Sequence, residues 1–259
     1  MCRLATYLGP EISLEKLLLH PAHSLMRQSW GPQEMREGKL NADGYGFGWF
    51  DQNGVPAAYA NPMPIWTDPN LPALARTLST DMWLANVRSA TLSSDVSHAN
   101  TQPFNDDQYI FLHNGYIKDF ALNLRHWVRC RLAPEIDCHI RGTTDSEHLF
   151  ALFRQIMKEN AAYSISDGIR QMLTEIENQL GDKKALLNIV IADKQSITAV
   201  RHALNGECPT LYYTSTDQDY PGASLIASEK LTPSSGWQAV SDHSVVVMRS
   251  GNPVELTSL

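Results

Sequence analysis

The chain has 259 residues, of which 43% are hydrophobic and 19% charged, and 21 Lys and Arg against 28 Asp and Glu give a net charge of −7. This composition is typical of a folded protein with a substantial core and excludes extensive disorder. The absence of a basic run argues against nucleic acid as a partner. No apolar stretch has the length of a membrane span and no signal-peptide pattern is present, so we expect a cytoplasmic protein.

The first motif is the cysteine that directly follows Met1. Removal of Met1 would leave Cys2 with a thiol of pKa ~8.5 and a free α-amine of pKa ~8, so the amine can act as a base for the thiol. The alternative is a chance cysteine in a disordered terminus. The four cysteines show neither CxxC spacing nor the density of a disulfide scaffold.

Hydrophobic periodicity predicts a mixed α and β chain. Strands are predicted over residues 3–8, ending at a Gly-Pro turn, and over residues 44–50, 83–88 and 109–114, the last ending at an Asn-Gly turn. Helices are predicted over residues 14–20, from Thr144 and over residues 165–180, and further strands over residues 185–192, 197–201, 211–215, 224–228 and 244–248. Two groups of strands with helices between them favour stacked sheets covered by helices.

Four stretches carry candidate functional groups. Three glycines at spacing two, in residues 44–48, would let the N-terminal strand or a substrate approach the backbone closely. Arg88 ends a predicted strand and can grip a carboxylate with two N–H donors, although such arginines are more often surface residues.

Asn114 and Gly115 can offer a side-chain amide and a main-chain N–H to an oxyanion. Asp145, at a helix start, is either an ordinary first-turn charge or the acceptor for a substrate ammonium group. Arg88 and Asp145 together would read the two charges of an α-amino acid.

Six motifs resemble, in order and approximate spacing, the class II glutamine amidotransferases. They are the opening Met-Cys-Arg, NADGYGFGW at residues 41–49, VRSAT at 87–91, NTQPF at 100–104, LHNG at 112–115 and TTDSEH at 143–148. The resemblance covers roughly residues 1–230 and implies an α+β fold, a four-layer αββα sandwich of the N-terminal nucleophile hydrolase type. We expect residues 1–259 to form a single such domain, with the role of residues 230–259 open.

The resemblance also implies roles for the matching residues. Cys2 would be the nucleophile, with its own α-amine as base, and Asn114 and Gly115 would form the oxyanion hole. Arg88 would bind the substrate α-carboxylate and Asp145 its α-ammonium group. No metal or organic cofactor is implied.

Residues 1–9, 23–30 and 41–50 look most like the γ-glutamyl-hercynylcysteine sulfoxide hydrolase branch of the family, which serves ergothioneine biosynthesis. That branch implies a stand-alone hydrolase that cleaves a γ-glutamyl amide through a γ-glutamyl thioester. The partner would be a small-molecule γ-glutamyl amide, with Arg27, Trp30 or Tyr45 lining the pocket for the leaving group.

Two other functions fit the same motifs. The chain could be a glutaminase subunit that supplies ammonia to a separate synthase, or an unprocessed form that keeps Met1 and binds a γ-glutamyl group without cleaving it. A synthase partner and a homo-oligomer both stay open. The family often has histidine where this chain has Asn86, so no role is assigned to that position.

Overall fold

The computed structural model describes residues 2–35, 38–90 and 95–259, so Met1 and Thr91 of the predicted motifs lie outside the described residues. The strands, in chain order, are β1 (Arg3–Ser13), β2 (Tyr45–Phe50), β3 (Pro56–Asn61), β4 (Ser79–Val87), β5 (Phe104–Asn105), β6 (Ile110–Ile117), β7 (Ala185–Asp193), β8 (Ser196–Leu204), β9 (Tyr212–Thr214), β10 (Ser224–Ala227), β11 (Gln238–Ala239), β12 (Ser244–Arg249) and β13 (Glu255–Ser258). The helices are α1 (Leu14–Leu18), α2 (Leu25–Trp30), α3 (Leu71–Thr77), α4 (Phe120–Asn123), α5 (Arg125–Arg131), α6 (Pro134–Asp137), α7 (Asp145–Glu159) and α8 (Ile165–Leu180).

Two antiparallel sheets stack face to face. The first has the strand order β11-β9-β10-β1-β4-β2-β3 and the second β13-β12-β8-β7-β6-β5. One apolar core lies between the sheets, a second lies under α1, α2 and α3, and a third lies under α5, α7 and α8. The predicted αββα layering is therefore confirmed, and residues 230–259 add β11 to one sheet and β12 and β13 to the other.

Alternation along β1 decides where the N-terminal side chains point. Leu4 lies in the core between the sheets, whereas Ala5 and Tyr7 lie in the core under the helices. Because successive side chains of a strand point to opposite faces, Cys2 belongs to the inter-sheet face and Arg3 to the helix-covered face.

The glycine strip of β2 does permit a close approach, but by residues 102–103 and not by the N-terminal strand, which was one of the two partners expected. A Cβ at Gly46 would collide with the main-chain oxygen of Gln102 and would lie 2.7 Å from that of Tyr59. A Cβ at Gly48 would lie 3.2 Å from Cγ of Pro103. Since β4 separates β1 from β2, residues 102–103 take the place that the sequence analysis gave to the N-terminal strand.

The turn predicted at Asn114-Gly115 is wrong. β6 continues to Ile117, and Asn114 and Gly115 pair with Asn188 and Leu187 of β7. The local turn tendency of Asn-Gly is overridden because a whole neighbouring strand pairs with this segment. The Gly-Pro turn predicted after residue 8 is likewise an irregularity within β1.

None of the helices in the described part of the chain combines the length and apolar character needed to cross a membrane. The longest two, α7 and α8, each bury one apolar face against the second sheet and each other. Their surface-facing sides are polar, as expected for helices of an outer layer.

The packing of residues 102–103 on β2 predicts the effect of a single added methyl group. Gly46→Ala should lower the free energy of unfolding by about 1–3 kcal/mol, because the new Cβ meets two main-chain oxygens that side-chain rotation cannot move. Urea denaturation would show a lower midpoint. Gly31→Ala is the matched control: its φ is −139° and its nearest neighbour, Arg27 O, lies 3.6 Å away. Equal midpoints for the two variants would contradict this account.

Candidate active site

The register of β1 against β4 places Cys2 beside Arg88. Arg3 pairs with Val87, so the next position on each strand brings Cys2 opposite Arg88. The Cys2 thiol lies 3.8 Å from the main-chain oxygen of Ser89 and is almost fully buried. Two predicted site residues that are 86 positions apart in the chain are thus neighbours at the same end of the first sheet.

Arg88 is held rigidly at this position. Its Nη1 donates to the main-chain oxygen of Asp43 at 3.2 Å, and its Nη2 donates to that of Asp95 at 3.3 Å. Its main-chain N–H donates to Gly44 O at 2.7 Å. A guanidinium carries five N–H donors in a planar fork, so these contacts fix the plane of the fork at the end of β4.

The second sheet presents an open strand edge to the site. The side chain of Gln102 accepts from the N–H of His113 at 2.5 Å and donates to its carbonyl at 2.9 Å. Further along, Asp145 Oδ2 accepts the N–H of Ile117 at 2.8 Å. Because main-chain groups of alternate residues point to the same side of a strand, the N–H of Gly115 faces this edge between the two contacts.

A glycine is required at this point of β6. A Cβ at Gly115 would collide with the main-chain oxygen of Leu186 and would lie 2.6 Å from Nε2 of His113. The His113 ring is itself buried, with Nε2 at 2.9 Å from Leu186 O and Nδ1 at 3.0 Å from Ser146 Oγ. The role proposed for the Gly115 N–H is thus separate from the steric need for a glycine at this position.

Asn114 connects the second sheet to the N-terminal strand. Its side chain is fully buried on the inter-sheet face, and its Nδ2 lies 2.9 Å from Oγ of Ser228. The same Oγ accepts the N–H of Leu4 at 3.0 Å. The Asn114 carboxamide therefore lies close to β1, two residues beyond Cys2.

Asn86 also points into the space between the sheets. It pairs with Leu4 and Gly46, and neither its Nδ2 nor its Oδ1 has a hydrogen-bond partner among the residues that the structure describes. A fully buried amide without partners is costly unless something else satisfies it. The polar lining near Cys2 thus extends beyond the residues predicted from motifs.

Asp145 is the first residue of α7 and is half-buried. Its Oδ1 accepts the N–H of Ser146 at 2.8 Å, while Oδ2 is used by Ile117. The sequence Thr144-Asp145-Ser146-Glu147 is that of a capping box. Thr144 Oγ1 accepts the N–H of Glu147 at 3.3 Å, but the reciprocal bond from the Thr144 N–H to the Glu147 carboxylate is not formed.

Glu147 turns instead toward the preceding loop, where its carboxylate accepts the N–H groups of Arg141 and Gly142. Burial raises the pKa of Glu147, although these two hydrogen bonds oppose the shift. The carboxylate therefore shapes the loop before α7 rather than capping the helix.

The three residues predicted for a leaving-group pocket are not equivalent. Arg27 and Trp30 lie on the exposed face of α2, with the guanidinium 5.9 Å from the Trp30 ring centre and Trp66 edge-on to that ring. Tyr45 is fully buried on the helix-covered face, and its hydroxyl donates to Asp68 at 2.7 Å. This position does not fit a pocket-lining role for Tyr45, because its ring is enclosed in the core under the helices and is not accessible to a ligand.

Arg3 anchors the N-terminal strand from the other face. Its guanidinium is fully buried, donates to the main-chain oxygen of Cys2 at 2.7 Å and pairs with Glu229 at 3.0 Å. Glu229 also accepts the main-chain N–H groups of Gln33 and Glu34 and lies 2.7 Å from the His23 ring. One carboxylate thus connects three separate segments of the chain near Cys2.

These contacts determine the charge of the pair. Burial alone would raise the pKa of Glu229, but His23, the two main-chain N–H groups and Arg3 outweigh it and lower the pKa to about 2. Burial lowers the pKa of Arg3 against the pull of Glu229. Because arginine titrates far above neutral pH, both groups remain ionised.

Motif reading did not identify Gln102, Ser228 and Glu229, although their positions matter to the site. A signal was available for the last two, because polar residues that directly follow the apolar strand β10 are expected to lie at its end. Gln102 lies within the NTQPF motif, but the motif gave it no role, since that role depends on contact with a strand that follows it in the chain.

A groove of about 860 Å³ is lined on one side by residues of the segment 98–107. Its walls come from β3, the loop before α7 and the first turns of α7, and include His98, Arg141 and Arg154. None of the predicted catalytic or glutamyl-binding residues lines it, so this groove and the candidate chemistry are at different places. Within residues 2–35, 38–90 and 95–259, no cluster of three potential metal ligands occurs.

Comparison with known proteins agrees with the motif order. The family model for class II glutamine amidotransferases matches residues 26–206. The gamma-glutamyl-hercynylcysteine sulfoxide hydrolase of Mycolicibacterium smegmatis (strain mc(2)155) is 30% identical over 254 residues, which cover 98% of this chain and 98% of that protein.

Solved structures share the fold. A glutamine aminotransferase class-II domain protein from Silicibacter pomeroyi superimposes with a TM-score of 0.72 at 21% identity and covers 99% of both chains. The glutamine phosphoribosylpyrophosphate amidotransferase of B. subtilis superimposes with a TM-score of 0.67 at 14% identity, over 99% of this chain and 49% of that one. The sandwich described above is therefore the fold of these amidotransferases.

The Arg3–Glu229 pair predicts a specific pH dependence of stability. Ionised Glu229 stabilises the folded state above its unfolded-state pKa of about 4.3, and this stabilisation is lost as the pH falls from about 4.3 toward its folded-state pKa. Glu229→Gln should lower the free energy of unfolding at pH 7 by about 3–5 kcal/mol, because it leaves a buried guanidinium unpaired.

Urea denaturation of wild type and variant at pH 7 and pH 3.5 measures this difference, which should shrink at the lower pH. The control is Glu255→Gln, which removes the partner of Arg249 in an exposed ion pair and should change stability by less than about 1 kcal/mol. A Glu229→Gln deficit as small as that of Glu255→Gln would show that the buried pair does not hold the N-terminal strand.

Proposed function

This chain belongs to the class II glutamine amidotransferases. We propose that it is an N-terminal-cysteine amidohydrolase that cleaves a γ-glutamyl amide. The observation that carries the proposal is the link from Asn114 through Ser228 to Leu4. It brings the donors of β6 against the strand that carries Cys2, although these residues come from different sheets. A nucleophile and an oxyanion site within one cleft are what acyl transfer requires.

The proposed reaction begins after removal of Met1. The α-amine of Cys2 takes the thiol proton, and the thiolate attacks the carbonyl carbon of the γ-glutamyl amide. The Asn114 amide and the Gly115 N–H donate to the oxyanion that forms. The resulting ammonium returns the proton to the leaving nitrogen, the C–N bond breaks, and water hydrolyses the γ-glutamyl thioester to glutamate.

The glutamyl group is held by two opposite charges. We assign its α-carboxylate to the guanidinium of Arg88 and its α-ammonium group to the carboxylate of Asp145. Arg88 lies beside Cys2 at the end of β4, and Asp145 lies at the open edge of β6 next to Gly115. Recognition of both charges would select an L-glutamyl group over a simple acyl amide.

For the leaving group we propose a γ-glutamyl conjugate such as γ-glutamyl-hercynylcysteine sulfoxide. The support is the name of the mycobacterial relative, which matches this chain over almost the whole length of both proteins. Arg27 and Trp30 stay candidates for the leaving-group pocket, since α2 is tied through the Ser29 carbonyl and the Asn41 N–H to the loop that leads to Asp43. We place the enzyme in the cytoplasm, because Cys130 and Cys138 are exposed free thiols, as a reducing compartment permits.

A glutamine-mimicking electrophile tests the nucleophile. Mass spectrometry after treatment with 6-diazo-5-oxo-norleucine should find a chain without Met1 and one adduct on Cys2. The exposed thiols of Cys130 and Cys138 should stay unmodified, because they lie outside the glutamyl pocket.

Cys2→Ala is the control: it should take up no adduct, while a general alkylating reagent still labels Cys130 and Cys138. A trimmed chain that carries no adduct on Cys2 would overturn the proposed mechanism. A chain that keeps Met1 when isolated from its own host would instead favour the non-catalytic, γ-glutamyl-binding alternative.

A comparison of two amide substrates tests the proposed leaving group. We expect kcat/KM for γ-glutamyl-hercynylcysteine sulfoxide to exceed that for glutamine by at least about 100-fold, because a pocket that contacts the whole leaving group contributes roughly 3 kcal/mol of discrimination. Glutamate release is measured for both substrates and ammonia for glutamine. Ammonia release from glutamine without turnover of the conjugate would instead support the glutaminase subunit, and a co-purifying synthase would then be sought.

A further inference from the structure

The hydrogen bond between Asn114 and Ser228 leaves two buried polar groups unused. With Nδ2 of Asn114 donating to Ser228 Oγ, the Oδ1 of Asn114 has no partner in the described part of the chain. Ser228 Oγ then accepts from both Asn114 and Leu4, and its own hydroxyl hydrogen is not used in either contact. Both side chains are fully buried, so water cannot easily satisfy these groups.

A half-turn of the Asn114 carboxamide gives both of these groups a partner. The two ends of the amide are nearly the same size, so the turn exchanges Oδ1 and Nδ2 without moving any neighbour. Ser228 Oγ then accepts from Leu4 and donates its hydrogen to Oδ1 of Asn114, and only Nδ2 of Asn114 is left without a partner in the described part of the chain. Because an unsatisfied buried polar group costs about 1–3 kcal/mol, the arrangement with one such atom is more stable than the arrangement with two unused groups.

The same half-turn changes what Asn114 presents to the cleft. Nδ2 moves to the end of the amide that faces away from Ser228, where it is available to an acyl oxygen held by Cys2. A carboxamide with Oδ1 in that place would repel an oxyanion instead of stabilising it. The orientation of Asn114 therefore decides whether the predicted oxyanion hole can work.

Ser228 is well placed to fix that orientation. Its main-chain N–H donates to Leu4 O at 2.9 Å, and its main-chain oxygen accepts from Thr210 Oγ1 at 2.9 Å. These contacts hold Ser228 on both sides at the end of β10. Its Oγ accepts the N–H of Leu4, so the hydroxyl hydrogen is free to point toward Asn114.

We propose that Ser228 is a positioning residue for catalysis: it accepts the N–H of Leu4, donates to Oδ1 of Asn114 and thereby directs Nδ2 of Asn114 at the oxyanion. This inference rests on the proposed function, in which Asn114 is an oxyanion donor. It adds a residue that the sequence motifs did not assign. It also links the oxyanion hole to β1, so that the nucleophile and its electrophilic partner are held by one chain of hydrogen bonds.

Steady-state kinetics of Ser228→Ala tests the proposal. Loss of the hydroxyl should lower kcat by about tenfold to 100-fold while KM changes little, because misorientation of a catalytic group affects the transition state more than substrate capture. Ser224→Ala is the matched control, since Ser224 lies on the same strand and the same face, opposite Leu8, far from Cys2. It should keep the kcat of the wild type.

Combining variants separates a positioning role from a general structural one. Asn114→Ala alone should lower kcat by about 100-fold to 1,000-fold. If Ser228 acts through Asn114, adding Ser228→Ala to Asn114→Ala should change kcat by less than about twofold. Independent, multiplicative losses would overturn the proposal, as would an unchanged kcat in Ser228→Ala.

The same set of variants distinguishes failure of this inference from failure of the proposed function. An unchanged kcat in Asn114→Ala would reject Asn114 as an oxyanion donor and with it the mechanism. A large loss in Asn114→Ala without a loss in Ser228→Ala would reject the role of Ser228 alone. Should Ser228→Ala fail to fold, Ser228→Cys replaces it, because a thiol fills the site but is a weak donor, and a wild-type kcat in that variant would overturn the proposal.

Discussion

The buried ion pair between Arg3 and Glu229 is the constraint on which the candidate site depends. Chain termini usually fray, because few contacts hold their first residues. Here a residue next to the proposed nucleophile is fully buried and is held by a carboxylate that also binds the loop after α2. Taking two charges out of water is expensive, and the several N–H groups that converge on Glu229 offset that cost. The result is an N-terminal strand that is anchored directly beside Cys2.

The two faces of β1 have different roles: one anchors the strand, and the other faces the candidate site. Arg3 points toward the helix-covered side and meets the ion-pair network, whereas Cys2 points between the sheets and meets the polar groups of the cleft. This division follows directly from the two-residue period of a strand. It also keeps the Glu229 carboxylate on the helix-covered side, where it pairs with Arg3 and cannot compete with a substrate carboxylate for Arg88.

The long elements and the stacking of two helix-covered sheets could be predicted, because apolar periodicity is local, whereas the four-layer αββα fold was implied by the family resemblance. α8 was predicted with its observed ends, and β7 and β12 to within a residue or two at each end. The extended conformation of Asn114 and Gly115 could not be predicted, because it is decided by pairing with β7, about 70 positions later in the chain. The same reason explains why Gln102, Ser228 and Glu229 were missed: each acts through a contact with a distant segment. Motif order indicated Cys2, Arg88, Asn114, Gly115 and Asp145 without showing how they are supported.

The groups assigned to the glutamyl half of the substrate lie on strands and at a helix start, whereas the candidates for the leaving-group half lie on α2. The two sets of residues are nevertheless connected. The carbonyl of Ser29 accepts the N–H of Asn41, and two residues later the main chain of Asp43 holds the guanidinium of Arg88. A leaving group that displaced α2 would therefore also shift the proposed carboxylate clamp. The identity of the leaving group would then affect the position of the glutamyl group, and hence kcat as well as KM.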